Sequence, residues 1–217
     1  MKKLLTNLLI LFSITVFAQN TKIYFDNGNI KAEGKLKNNK RHGHWKIYYS
    51  NGQVEKTGRY RKGKKVGKWK IYLENGNLSS VGRYRKGLAH GRFKIYYSVG
   101  GTGFETYKNG KKNGKTKEFY ENGKLLLSGY YKDNKKDGEW KYYDEQGNLK
   151  EVKHYKNDVE NGLYIAYNPE TGFVSEKGFY LNGYKQGLWQ YFDYETGKLI
   201  REIEFKNDKV VNWKSYE

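Results

Sequence analysis

Aromatic and glycine residues recur along this chain at intervals of about 24 residues. Most copies place an aromatic residue two positions after a glycine, as Gly43 precedes Trp45 and Gly67 precedes Trp69. The aromatic position is occupied in turn by Trp45, Trp69, Phe93, Thr116, Trp140, Tyr164, Trp189 and Trp213, with spacings of 24, 24, 23, 24, 24, 25 and 24 residues. A fixed period of this length is typical of repeat proteins. The recurrence therefore predicts about eight copies of one structural unit between residues 21 and 217.

Each unit has the pattern of a β-hairpin. Apolar and polar residues alternate after Trp45, which is the period of a strand with one buried face. Asn51-Gly52 predicts a two-residue turn that places Trp45 opposite Gly58, with room for the indole ring, and Tyr49 opposite Val54. The longer polar segment 62–67 is expected to join this hairpin to the next. One face should carry Trp45, Ile47, Tyr49, Val54 and Tyr60, and the other Lys46, Tyr48, Glu55, Arg59 and Arg61.

These units predict an all-β fold. No segment has apolar residues at the helical period over ten residues, so no long helix is expected in the mature chain. The hairpins should stack into an elongated single-layer antiparallel sheet of about eight 24-residue repeats, roughly 80 Å long at ~10 Å per repeat. Segments 169–172 and 194–197 carry one extra residue, which suits a three-residue turn with a bulge. Segment 98–103 is one residue short and is a candidate bend.

The first 18 residues have the organisation of a secretory signal peptide. Lys2 and Lys3 form a basic start, an apolar run follows to Phe17, and Val16 and Ala18 are small residues before Gln19. The run is shorter than the ~20 residues of a membrane span. We therefore predict cleavage after Ala18, a repeat array over residues 19–217, and export to the periplasm or the cell exterior. The chain has no cysteine to acylate, so it is not expected to be a lipoprotein.

Composition supports a half-buried aromatic sheet and an anionic partner. Aromatic residues make up 17% of the chain and include 22 tyrosines, which suit a pleated surface with one wet side. The formal net charge is +19, and the signal peptide contributes two of the lysines and no acid, which leaves +17. A field of this sign favours anionic ligands. The absence of cysteine excludes disulfides and thiolate metal sites.

No catalytic constellation is recognisable in the sequence. His42 and His44 could ligate a metal, but no third ligand is implied. The glycine-rich segment 100–103 lacks the lysine and helix of a phosphate-binding loop, and no nucleophile elbow is present. The sequence thus predicts a non-enzymatic protein with no metal and no cofactor.

Basic residues at two repeat positions are the candidate binding site. One set directly follows the closing aromatic of each unit, and we call its members the second-strand cations: Lys37, Arg61, Arg85, Lys108, Lys132, Lys156 and Lys206. The other set, the first-strand lysines, directly follows the aromatic repeat position: Lys46, Lys70, Lys94, Lys117 and Lys141. Both are predicted on the face that also carries Tyr48, Tyr72 and Tyr96. This face is either a solvated surface that keeps the sheet soluble or an anion-binding stripe.

The repeat itself resembles a known family. Residues 58–76, GRYRKGKKVGKWKIYLENG, and residues 129–143, GYYKDNKKDGEWKYY, look like MORN repeats in their bacterial variant form. The resemblance implies a single-layer array of β-hairpins with no shared catalytic residues. Relatives include membrane-proximal or protein-binding scaffolds and YwqK-type antitoxins.

Two functions are consistent with this resemblance. The first is an exported scaffold that binds a partner protein or an anionic envelope surface, membrane or polyanion, through its basic-aromatic face. The alternative is an antitoxin or immunity protein that neutralises one dedicated toxin. Aromatic and basic residues together also suit single-stranded nucleic acid, but export argues against it as the physiological ligand. The sequence does not fix the oligomeric state.

Overall fold

A computed structural model describes residues 19–216 of the 217-residue chain as a single open antiparallel sheet of twenty strands. The predicted signal peptide and Glu217 lie outside the described residues. No helix occurs between residues 19 and 216, so this part of the chain has no apolar helix long enough to cross a membrane. The predicted all-β, single-layer antiparallel sheet is confirmed.

Strands follow one another along the chain, and each longer strand pairs with the longer strands before and after it. Eight hairpins and a final strand make up the sheet, and the two-residue strands are short extensions beside a longer one. The strands are β1 (Gln19–Tyr24), β2 (Ile30–Lys37), β3 (Lys40–Tyr48), β4 (Val54–Arg61), β5 (Lys64–Tyr72), β6 (Leu78–Arg85), β7 (Leu88–Ala89), β8 (Gly91–Tyr96), β9 (Thr102–Lys108), β10 (Lys111–Lys112), β11 (Gly114–Phe119), β12 (Leu125–Lys132), β13 (Lys135–Lys136), β14 (Gly138–Tyr143), β15 (Leu149–Lys156), β16 (Val159–Tyr167), β17 (Val174–Leu181), β18 (Tyr184–Phe192), β19 (Leu199–Lys206) and β20 (Lys209–Ser215).

The two kinds of connection are the reverse of those predicted. Lys62 and Gly63 both have positive φ, 51° and 77°, which is the geometry of a two-residue type I′ turn, and β5 begins directly after it. The predicted longer connection over residues 62–67 is therefore wrong. The Asn51-Gly52 loop has three residues, because the Tyr49 N–H donates to the Gln53 carbonyl and only Gly52 has positive φ. A single left-handed position suits a type I turn closed by a glycine bulge.

A bulge beside this loop corrects the predicted faces of the hairpin. Trp45 pairs with Gly58 as predicted, but the register then shifts, and Tyr48 rather than Tyr49 pairs with Val54. Val54 therefore lies on the face of Tyr48, opposite the face predicted for it. Glu55 is the extra residue, and its carboxylate lies 2.5 Å from the Lys56 ammonium, on the side of Ile47.

The irregular loops also differ from expectation. The hairpin between β8 and β9 has no register shift, so the residue that segment 98–103 lacks is the bulge residue. This hairpin keeps the same loop hydrogen bonds as its neighbours, from the Tyr97 N–H to the Gly101 carbonyl and from the Gly100 N–H to the Tyr97 carbonyl. The loop after Asn168 has four residues rather than three, because the Asn168 N–H donates to the Phe173 carbonyl.

One face of the sheet, the aromatic face, forms the core. Trp45, Trp69, Trp140 and Trp189 are at most 1% exposed. Each indole lies flat on the glycine eleven residues before it, and a Cβ atom on that glycine would clash with the ring. The Trp69 ring thus covers Gly58, whereas the sequence suggested that Gly58 accommodates Trp45. Each tryptophan consequently packs against the hairpin that precedes its own strand, and neighbouring repeats share one core.

Aromatic rings continue this packing along the face. Ring centroids of Trp45, Tyr60, Trp69 and Tyr84 follow one another at 6.1, 5.0 and 6.1 Å in edge-to-face contact. Cations lie over these rings: Arg41 is 4.7 Å from the Trp45 centroid and Lys65 is 4.8 Å from that of Trp69. Burial lowers the pKa of Lys65. These cations cover the outer side of the tryptophan rings, so a single-layer sheet can bury the rings.

Charged pairs interrupt the ring stack at two units. Glu105 and Lys153 occupy the position of the covered glycine, and Thr116 and Tyr164 occupy that of the tryptophan. Glu105 forms an ion pair with Lys112, and Lys153 lies 3.6 Å from Glu160. Burial disfavours the charged form of Lys153, but the hydrogen bond and charge of Glu151 raise its pKa overall. Each ion pair lies between the aromatic rings of the neighbouring repeats. The acid occupies the glycine position in the first pair, and the lysine occupies it in the second.

Hydrogen bonds join successive repeats at both edges of the sheet. On the loop edge, the Asn51 side chain accepts from the Gln53 N–H and donates to the Glu74 carbonyl of the next loop. On the turn edge, the Gly63 N–H donates to the carbonyl of Arg41, which lies in β3 just after the preceding turn, at 2.9 Å. Backbone groups of the connections are therefore paired between units, which fixes the stacking.

Candidate basic surface

The predicted first-strand lysines lie in one row. Cross-strand pairing runs from Glu33 to Lys46, Thr57, Lys70, Val81, Lys94, Phe104, Lys117, Ser128, Lys141 and Val152 without a gap. Directly paired residues share a face, and Lys46 neighbours the buried Trp45 in β3, so the row is on the side opposite the aromatic face. Because one strand separates each lysine from the next, their spacing is ~10 Å.

The second-strand cations lie on the same side, which we call the basic face. Thr57 belongs to the lysine row, and Arg59 and Arg61 follow it at alternate positions in β4. All seven second-strand cations are exposed, and each ends its strand immediately before a type I′ turn. None of the seven is in an ion pair within the described residues. The two predicted sets therefore form parallel rows on one face.

Neighbouring turns bring cations from successive repeats together. A groove of about 420 Å³ is lined by Lys37, Lys40, Arg61 and Lys62, with Asn38 and His42. A second groove of about 470 Å³ is lined by Arg61, Lys62, Lys64, Arg85 and Lys86, with Val66 and Tyr84. Arg61 contributes to both, so the cations of adjacent units converge on shared concave sites along the turn edge.

The three predicted tyrosines lie half-buried beside the lysine row. The Tyr48 hydroxyl donates to the Glu33 carboxylate at 2.6 Å. Burial and this hydrogen bond raise the pKa of Tyr48 to about 12. The Lys94 ammonium lies 4.9 Å from the centroid of the Tyr96 ring. Glu33 also approaches Lys46 at 3.9 Å, so the Tyr48 end of the row is partly neutralised.

Sequence reasoning missed about half of the cations on this face. Because each type I′ turn is two residues long, the residue after it pairs with the second-strand cation, as Arg61 pairs with Lys64. The additional exposed cations include Lys35, Lys40, Lys64, Lys68, Arg83, Arg92, Lys111, Lys115 and Lys135. The recurrence of Lys at positions 40, 64, 111 and 135 is the signal that could have found them.

The rows become sparse in the C-terminal units. Ile165 and Gln190 continue the row of first-strand lysines, and Leu181 replaces the second-strand cation in its unit. Lys141 already lies 3.0 Å from the Glu139 carboxylate. The dense part of the basic face therefore extends from Lys37 to Lys156.

The two histidines noted in the sequence lie on β3, near the N-terminal end of the sheet. His42 pairs with Lys35 and His44 pairs with Arg59. Within residues 19–216 no group of three or more histidines, aspartates or glutamates could hold a metal ion. A groove of about 820 Å³ at this end is lined by Lys22, Glu33, Lys46 and Thr57 among others.

Comparison with known sequence families assigns the repeats. The sequence profile of the MORN repeat variant matches residues 20–38, 41–62, 65–86, 112–133, 136–157 and 185–207. The two units between the matched segments, residues 87–111 and 158–184, contain Phe93 and Tyr164 where the regular units have tryptophan. No match was found among proteins with curated descriptions. The matched segments cover more than half of the chain and confirm the predicted resemblance: this protein belongs to the MORN repeat variant family.

Proposed function

We propose that this protein is an exported repeat scaffold that binds an anionic envelope surface through its basic face. The observation that carries the proposal is the convergence of cations from successive repeats, such as Lys37 with Arg61 and Arg61 with Arg85, on shared grooves. Family membership supports the scaffold role, because MORN repeat arrays are typically scaffolds without catalytic activity. The proposed binding to an anionic surface rests on the charge and geometry of the basic face.

An extended ligand suits this surface better than a small one. Successive cations in a row are ~10 Å apart, which is about one Debye length at 0.1 M salt, so their mutual repulsion costs the fold little. A surface with many anionic groups can contact several cations at once, and its avidity then exceeds that of any single contact. Anionic phospholipid headgroups at a membrane surface meet this requirement.

Charge reversal on the basic face tests the proposal. In the variant Arg61→Glu, Arg85→Glu, Lys108→Glu, binding to phosphatidylglycerol-containing vesicles should fall about tenfold or more, because three exposed, unpaired cations become anions. A matched control is Lys124→Glu, Lys150→Glu, Lys198→Glu, which makes the same charge change at exposed positions beside the loops. The control should retain most of the binding. Equal binding by both variants and the wild type would contradict the proposal.

The antitoxin alternative predicts a different outcome. It requires one protein partner, bound stoichiometrically and retained at high salt, and no affinity for vesicles. Capture of such a partner by both triple variants, with no vesicle binding by the wild type, would favour it.

Export has a test of its own. Mass spectrometry of the exported protein should find Gln19 as its first residue. Intact protein beginning at Met1 and confined to the cytosol would contradict export.

A further inference from the structure

The unit of residues 158–184 carries a cluster of exposed apolar side chains. Val159, Leu163, Phe179 and Leu181 are 45%, 44%, 46% and 43% exposed. Tyr184 at the end of this unit and Leu188 in the next unit extend the cluster and are 53% and 54% exposed. We call these six residues the apolar patch. Contiguous exposed apolar surface on a soluble protein commonly marks an interaction site.

The patch lies on the same face of the sheet as the basic rows. Leu163 pairs with Phe179, and Leu181 pairs with Tyr184, so these side chains are neighbours across the strands. Leu163 adjoins Tyr164 in its strand and Leu188 adjoins Trp189, and both of these rings belong to the aromatic face. The patch residues therefore point away from the core.

The fold does not require apolar residues here. In the unit of residues 41–62, the residues equivalent to Leu163, Phe179 and Leu181 are His44, Arg59 and Arg61. In the next unit they are Lys68, Arg83 and Arg85. The same backbone positions thus accept exposed cations elsewhere in the array. The unit with the patch is also one of the two that the family profile does not match.

The net charge of the chain changes sign at the start of the unit that carries the patch. Residues 19–157 contain 33 Lys and Arg against 13 Asp and Glu, a net charge of +20. Residues 158–217 contain 7 Lys and Arg against 10 Asp and Glu, a net charge of −3. We call these the basic segment and the C-terminal segment. Two copies can bring their C-terminal segments together with little like-charge repulsion, whereas close approach of two basic segments is strongly opposed.

From these observations we propose that the apolar patch binds a second copy of this chain. The patch would pack on itself about a two-fold axis, with the C-terminal segments overlapping and the basic segments directed apart. An isologous contact of this kind needs one self-complementary surface, which an apolar patch of low charge provides. Its six side chains are far fewer than the roughly 20–30 residues per side of a standard interface, so a reversible, concentration-dependent dimer is expected. This proposal does not depend on binding to anionic surfaces.

The residues of the regular repeats define the variant that tests the dimer. The substitutions Leu163→Lys, Phe179→Arg, Leu181→Arg and Leu188→Lys introduce the residues that a regular unit carries at the same repeat positions. Lys68 corresponds to both leucines 163 and 188, Arg83 to Phe179, and Arg85 to Leu181. Because the regular units fold with these residues, the variant should keep the wild-type melting temperature.

A control of equal added charge leaves the patch intact. It carries Ser50→Lys, Gln53→Lys, Ser98→Lys and Gln146→Lys, at four exposed loop positions. Any effect of net charge alone on association should appear equally in this control and in the patch variant.

Sedimentation velocity of the mature protein, from about 1 to about 200 µM, measures the outcome. The wild type and the control should shift from monomer to dimer over this range, and should still do so at about 300 mM salt because the contact is apolar. The patch variant should remain monomeric. A wild type that stays monomeric throughout would overturn the proposal. So would a patch variant that still dimerises, since the dimer would then form through another surface such as the free edge of β20.

Discussion

On the aromatic face of the sheet, four tryptophans are buried against glycines of the preceding hairpin, and in two units that lack this pair an ion pair replaces it. On the basic face, by contrast, equivalent positions hold Arg61, Lys132 or Leu181, all of them exposed. The fold therefore depends on one face, which leaves the other free to change from basic to apolar along the array.

Truncation of a buried tryptophan should have the largest effect. Trp69→Ala removes a ring that is 0% exposed and that packs on Gly58. The free energy of unfolding should fall by about 3–5 kcal/mol, measured by chemical denaturation. Trp213→Ala is the matched control, because Trp213 occupies the same repeat position in the last strand but is 65% exposed. Equal losses in the two variants would contradict the assignment of the aromatic face.

A methyl group on the covered glycine should have the next largest effect. Gly58→Ala places a Cβ atom against the Trp69 ring and should cost about 1–3 kcal/mol through overpacking. The double variant Gly58→Ala, Trp69→Ala should cost little more than Trp69→Ala alone, because the clash has lost its partner. Additive losses in this cycle would mean that the ring does not rest on Gly58.

Much of this arrangement is readable from the sequence, and the remainder depends on pairing. The period and the opposite faces of Trp45 and Lys46 follow from strand alternation. The type I′ turn at Lys62 was missed because a lysine at positive φ is locally unfavourable and is held there by the strands on both sides. The local sequence pattern around Glu55 does not indicate the bulge. Val54 was consequently assigned to the wrong face.

The basic face was predicted in outline only. Strand periodicity gave the first-strand lysines and second-strand cations, but their convergence on shared grooves depends on two-residue turns that the sequence did not reveal. The apolar patch was also missed, because Leu181 is its only member at either of the two candidate basic repeat positions. Leu163 and Phe179 become its neighbours through the register of β16 with β17.

One residue on the basic face should contribute modestly to stability. Tyr48→Phe removes the hydrogen bond to Glu33 and should cost about 1 kcal/mol or less at pH 7. The folded-state pKa of Tyr48 is raised from 10.0 to about 12, so this contribution is present below pH 10 and is lost as the pH rises toward about 12. Denaturation curves at several pH values should show the wild type and the variant converging over this window. A difference that is constant to pH 12 would contradict the assignment.

Salt dependence of vesicle binding by residues 19–217 without substitutions tests the central claim, that the basic face binds anionic surfaces by charge. Equilibrium binding to phosphatidylglycerol-containing vesicles should weaken about tenfold or more between about 50 and about 300 mM salt, because exposed charges separated by ~10 Å are progressively screened. The melting temperature should change little over the same range, since the aromatic face carries the fold. Binding that is absent at low salt, or that does not weaken as salt rises, would contradict the claim.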